Sequence, residues 1–327
     1  MRVWPLVLTL GLVASLMSCT GAPDDETGLD PELGTLAVAV DGTDVKVTND
    51  NGNVDGGVPT PSFDAKNVQS NETSVAISPA NANIVAVAAN DWGMAPVFLN
   101  AWLGVYLSAD GGTTWFNTMV PGFPSDLSPA GLASPLHGLD FSNDPTVRFD
   151  ADGNLYVSGI AANVGFDPAE RPIDTVVYVA KYLYTPGTPG GTSTPNAAAN
   201  PPNFTYAFTT VVDRGAVGLA TPPQQPFGGA GIFDDKSWLA IDAHAASPCY
   251  GTMYFAYASF RGVAGAFPIV VATSTDGGHS FAQPRPVTQR GRQGTVATQG
   301  ANVAVATDGT LYLSYRTFPT PSDPQVR

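Results

Sequence analysis

Three carboxylates sit just ahead of strand-like apolar runs: Glu72 before residues 73–78, Asp144 before 146–150, and Asp235, preceded by Asp234, before 237–242. Gathered at one point, such groups could do two kinds of chemistry. Their oxygens could ligate Ca²⁺, or two of them could form a glycosidase pair in which one carboxyl keeps its proton through a raised pKa. A simpler use is local, since acidic residues open turns by accepting hydrogen bonds from nearby backbone amides. Arg148, Arg261 and Arg316 lie on or beside strand-like runs. The ordinary role of an arginine so placed is structural, packed or at a strand edge. His137, His244 and His279 have no metal-ligand spacing to one another or to cysteine. The chain has neither a Gly-x-Ser-x-Gly elbow nor a phosphate-binding Walker loop.

The elements that must position these residues form a repeat. First runs at 73–78, 146–150, 237–242 and 301–306 are each followed by a turn and a second run, at 84–89, 155–160, 253–260 and 311–318. Third runs stand at 104–107, 175–182 and 269–274, and fourth runs begin near Trp115, Phe204 and Phe281. Val, Ile, Tyr and Phe dominate the runs, as strands require. Asp152-Gly153 and Asp308-Gly309 are hairpin signals. Four strands repeated in one order predict an all-β chain built as a β-propeller of four-stranded blades. The innermost strand of each blade lines a central channel, so Glu72, Asp144 and Asp235 are expected at one end of it. Residues 62–327 hold three blades and half of a fourth. The Gly- and Pro-rich stretches 185–202 and 214–232 are expected as surface insertions.

Two copies of one turn motif carry a resemblance. Ser108-Ala-Asp110-Gly-Gly112-Thr-Thr-Trp115 recurs as Ser274-Thr-Asp276-Gly-Gly278-His-Ser-Phe281. The Asp can accept backbone amides ahead of it, the glycines permit positive φ, and the aromatic returns to the core. These octapeptides resemble the Asp-box (BNR repeat) of sialidase-like propellers, where the box joins the third and fourth strands of a blade and is structural. The resemblance implies a six-bladed fold, here cut to about three and a half blades, and a glycan substrate of the sialoside type. It also implies three carboxylate-binding arginines, for which Arg148, Arg261 and Arg316 are the best substitutes here, and a Tyr/Glu pair in late blades. The family's Arg-Ile-Pro at the first strand is replaced here by Asn71-Glu72-Thr73. The rival expectation is a non-catalytic propeller that docks a protein or polysaccharide. No cofactor is required under either reading, with Ca²⁺ as an option.

Composition supplies an address. Arg2 and the apolar residues 4–16 read as an export signal, too short for a membrane span. Leu16-Met-Ser-Cys19 resembles a bacterial lipobox. It implies cleavage after residue 18, lipid on Cys19 and, with Thr20 following, an outer-membrane location. Residues 19–61 then form the anchor, an acidic tether and a ring-closing strand at 44–48. Cys249 is left as a small packed thiol. A net charge of -14 with only 13% charged residues, and no basic stripe, argues against nucleic acid as a partner.

Overall fold

The computed structural model describes residues 45, 47–48, 70–92, 101–163, 173–194, 196–217, 232–261, 268–288 and 296–319. The export signal, Cys19 and the tether lie outside them. Of the expected closing strand only Val45, Val47 and Thr48 are described, and none is in a strand. Val47 packs in part against the first core.

The chain is an all-β propeller of four-stranded antiparallel blades. Blade 1 is β1 (Ser70–Ile77), β2 (Val85–Asp91), β3 (Trp102–Ser108) and β4 (Phe116–Met119). The short helix α1 (Pro129–Ala133) follows, capped by Ser128. Blade 2 is β5 (Phe141–Phe149), β6 (Leu155–Ala162), β7 (Ile173–Tyr184) and β8 (Phe204–Val217). Blade 3 is β9 (Ile232–Ile241), β10 (Met253–Arg261), β11 (Ile269–Ser274) and β12 (Arg285–Pro286). The described part of blade 4 is β13 (Val296–Val305) paired with β14 (Leu311–Pro319). Within each blade the strands pair in chain order. The first strands follow one another, with β1 against β5, β5 against β9 and β9 against β13. No helix among the described residues is long and apolar enough to cross a membrane.

The core is divided as blades demand. One cluster, including Trp102, Phe123 and Tyr182, fills the space between blades 1 and 2. A second, around Phe255, Tyr257 and Val179, joins blades 2 and 3. A third, around Ala256, Ile269 and Val303, joins blades 3 and 4. Val147, Leu239 and Val303 hold the same place on successive first strands and are 0%, 0% and 3% exposed, each packed toward the preceding blade. Val75, their counterpart in blade 1, is 62% exposed, as is Ile77. That face of β1 is built like an interface between blades.

The insertion after β7 is not a free surface loop. It folds back on blade 1, where Leu127 donates to the Asn196 carbonyl at 2.7 Å and Ala199 donates to Thr118 Oγ1 at 3.1 Å. Residues 214–217, expected in the second insertion, belong to β8. Cys249 is buried and disulfide-bonded, which corrects the packed-thiol expectation.

Both Asp-boxes join third to fourth strands. In the first, Asp110 Oδ1 accepts from Thr113 N at 3.0 Å and Thr114 N at 2.9 Å, and Ser108 Oγ accepts from Gly112 N at 2.8 Å. Trp115 turns inward and donates its indole N–H to the Gly112 carbonyl at 3.0 Å. In the second, Asp276 binds Ser280 N and Oγ, and Ser274 Oγ receives Gly278 N. Phe281 packs on the blade-2/3 core but starts no strand, since β12 begins at Arg285. The second box also clasps blade 2: Thr210 Oγ1 donates to the Gly278 carbonyl at 2.7 Å, and Lys181 Nζ donates to the Gly277 carbonyl at 3.4 Å.

The box carboxylates are solvent-exposed. Donated hydrogen bonds, chiefly from the Thr114 hydroxyl, lower the Asp110 pKa to about 2, and those from Ser280 lower that of Asp276. A depressed pKa stabilises the fold above the usual carboxylate range and ceases to do so as pH falls through the folded-state value. Asp276→Ala should therefore melt below wild type at pH 7, with the gap closing in acid. Unchanged melting together with altered ligand binding would contradict this structural role.

Candidate functional site

The site grows from a bulge repeated in every first strand. Pairing with the second strand slips between Asn71 and Ser74, between Asn143 and Thr146, between Asp235 and Trp238, and between Gln299 and Asn302. The left-handed residue of each bulge is Glu72 (φ 53°), Asp144 (φ 57°), Lys236 (φ 51°) and Gly300 (φ 68°). Three of the four are non-glycine residues in a conformation that crowds Cβ. Such backbone persists where surrounding contacts hold it. An extra residue in a strand also re-aims its side chain.

Here the bulges aim three side chains from three blades at one another. Lys236 Nζ stands 2.7 Å from Glu72 Oε1, 2.8 Å from Glu72 Oε2 and 2.9 Å from Asp144 Oδ1. The Lys236 backbone N–H donates to Asp144 Oδ2 at 3.2 Å. Asn90 on β2 ties the other side, donating Nδ2–H to Glu72 Oε2 at 3.2 Å and accepting Asp144 N–H on Oδ1 at 2.8 Å. The Asp144 side chain is 4% exposed, against 45% for Glu72 and 38% for Lys236.

The two carboxylates are pushed apart in acidity. Burial raises the Asp144 pKa to about 8, helped by the neighbouring carboxylates Glu72 and Asp235 and opposed by Lys236. Hydrogen bonding, first to Asp144 and then to Lys236, lowers that of Glu72 to about 2 against the opposing effect of its partial burial. Lys236 is raised by its two carboxylates, which outweigh desolvation. In the state these shifts favour, Asp144 holds a proton while Glu72 and Lys236 are both charged.

Glu72 and Asp144 thus meet, as the repeat predicts, but within bulges and not ahead of strands. Asp235 is one position out of step. Its counterparts are Asn71, Asn143 and Gln299, and it accepts Gln299 Nε2–H at 2.6 Å. The residue equivalent to Glu72 and Asp144 in blade 3 is Lys236. Its ammonium occupies the place between the carboxylates where a divalent cation was an alternative. Among the described residues, no group of three or more His, Cys, Asp and Glu is arranged to hold a metal.

Arg148 lies four residues beyond Asp144, over the Trp238 ring at 5.0 Å, and donates to the Val147 carbonyl at 2.6 Å. Burial lowers its pKa. It packs between blades 2 and 3 and does not serve the carboxylate pair. Arg316 pairs with Gln299 across β13 and β14 and is exposed. Arg261 ends β10 opposite Ile232. His279 stacks on Phe208 at 4.1 Å.

Sequence reasoning missed Lys236, Asn90 and Gln299. A signal for the first was present. Counting back three from Val75, Val147, Leu239 and Val303 lands on Glu72, Asp144, Lys236 and Gly300.

No family model matches the chain, and no curated protein does. Among solved structures, an α-L-arabinofuranosidase of Fusarium graminearum is similar at 16% identity and a TM-score of 0.48, covering 78% of this chain and 58% of its own. A Trypanosoma rangeli sialidase is similar at 13% identity and a TM-score of 0.41, over 78% of this chain and 37% of that one. A Penicillium chrysogenum α-L-arabinanase is similar at 13% identity and a TM-score of 0.40, over 78% and 69%. This chain spans less than two thirds of the length of the first two enzymes.

Proposed function

We propose that this chain is a carbohydrate-handling propeller that binds and cleaves a glycosidic bond at the Glu72–Lys236–Asp144 cluster. The observation that carries the reading is the pair of carboxylates on one ammonium, one driven toward the acid form and the other toward the ionised form. A divergent pair of this kind assigns its own roles. Asp144 donates a proton to the leaving oxygen, and Glu72 acts as the ionised partner. Both carboxylates contact the same ammonium nitrogen and hydrogen-bond to each other, the close arrangement in which one of two carboxyls keeps its proton. Lys236 keeps Glu72 ionised and, being partly exposed, can swing aside for a sugar.

The second reading is a docking module without turnover. It is favoured by the way both Glu72 oxygens are already engaged by Lys236 and Asn90. One assay separates the two. A set of 4-nitrophenyl glycosides, with a sialoside included as the substrate the Asp-box resemblance implies, is hydrolysed by the enzyme version. Its rate falls above pH about 8 as Asp144 ionises. Binding of the same glycosides without release of nitrophenol selects the docking module. Neither binding nor release rejects the carbohydrate reading.

The proposal includes export and anchoring through a lipid on Cys19. Cys19→Ser should move the protein from membranes to the soluble fraction. Equal membrane retention removes the anchor. Cys19 and Cys249 are the only cysteines, and one sulfur cannot carry both a lipid thioether and a disulfide. Intact mass under non-reducing conditions therefore separates those fates.

A further inference from the structure

Blades 1 and 4 each expose positions that the repeat buries in the blades between them. On blade 1, Val75 and Ile77 of β1 stand directly opposite Val87 and Val85 of β2, so four β-branched side chains share one entry face. Val75 is 62% exposed, whereas Val147, Leu239 and Val303 at the same place are buried against a preceding blade. On blade 4, Tyr312 of β14 is 50% exposed. Counted from the pairs Phe149–Leu155, Ile241–Met253 and Val305–Leu311, it matches Tyr156 in blade 2 and Tyr254 in blade 3. Those two tyrosines are 1% and 2% exposed.

Tyr312, Ser314 and Arg316 are exposed and alternate with Leu311, Leu313 and Tyr315, which pack on the core between blades 3 and 4. They therefore form an exit face, turned away from blade 3. Charge fits the two faces to each other. Arg316 stands opposite Gln299, the place that Asn90 holds opposite Asn71. From that place Asn90 reaches forward to the bulge of the next blade, where it accepts Asp144 N–H at 2.8 Å. A guanidinium there can only donate. The bulge of blade 1 presents an acceptor, the carboxylate of Glu72, whose side chain is 45% exposed.

We propose that the exit face of blade 4 docks on the entry face of blade 1 in a second copy of this chain, so that Tyr312 covers Val75 and Ile77 and Arg316 approaches Glu72. The contact continues the packing that joins blade 1 to 2, 2 to 3 and 3 to 4 within the chain. Its two sides are different surfaces, so it is heterologous. Such a contact closes a ring where the rotation allows and otherwise runs on from copy to copy. The proposal does not depend on the carbohydrate reading.

Sedimentation of the full chain over a range of concentrations should show association into a dimer or a larger species. Ile77→Asp spoils the entry face and Tyr312→Asp the exit face, at residues exposed enough that melting should match wild type. Each variant alone should sediment as a monomer. An equimolar mixture of the two should form a 1:1 dimer and stop there, because each copy keeps one sound face and the two faces differ. Arg316→Glu should weaken wild-type association by about tenfold, since it sets two carboxylates against each other. A wild-type chain that stays monomeric overturns the proposal, and a fall in its melting on Ile77→Asp then assigns cover of the entry face to the chain's own residues. Association unchanged in both aspartate variants overturns it as well, as does an equimolar mixture that stays monomeric.

Discussion

Lys236→Met should cost about 2 kcal/mol of stability at pH 7, measured by urea denaturation. The lysine gathers the first strands of three blades on one ammonium, so its loss acts on the association of blades and not on one hairpin. Removing one partner of a fully buried pair costs roughly 3–5 kcal/mol, because the other charge is stranded. Here the figure is lower, since Glu72 and Lys236 keep part of their hydration. The pH dependence is specific. Glu72 has a depressed pKa, so its contribution is present above the unfolded value of 4.5 and is lost as pH falls toward about 2. Lys236 has a raised pKa, so its own contribution holds below 10.5 and adds no slope between pH 5 and 9. The gap between variant and wild type should therefore be flat from pH 5 to about 7, close in acid, and widen above about pH 8, where Asp144 ionises in wild type beside the ammonium the variant lacks. A variant as stable as wild type at pH 7 would mean that the three-blade junction is held by apolar packing alone.

Asp144→Asn separates stability from activity. The Asp144 pKa is raised from 3.8 to about 8, chiefly by burial. A raised carboxyl stabilises the fold below its unfolded value, and that contribution is lost as pH rises through the folded value. Wild type should lose stability between pH 4 and 8 through this group, and the variant should not. At pH 9 the variant should be the more stable by about 1–2 kcal/mol, the remainder of the desolvation gain being offset by the lost contact with Lys236. Glycoside hydrolysis, under the proposed role, should fall by about 100-fold or more, because an amide cannot donate the proton. A variant that keeps wild-type turnover would remove Asp144 as the acid and leave it a junction residue.

Much of the fold is visible in composition and spacing. Alternating Val, Ile, Tyr and Phe runs, Asp-Gly turns and two Asp-boxes are local features, and local physics suffices to read four strands per blade from them. Glu72 and Asp144 were legible for the same reason, since each stands at a fixed offset from an apolar run. Tertiary structure decided what these residues mean. A bulge shifts register by one residue, and one residue is the difference between Asp235 and Lys236 in the third blade. It turned an expected ring of carboxylates into a lysine-bridged pair. Asn90 and Gln299 lie 18 residues from Glu72 and 64 from Asp235, the residues they bond. No periodicity reports contacts made across strands and blades. The acidity of Asp144 is likewise a property of its burial among three blades, and burial is decided by how the blades close around it and not by the residue's own identity.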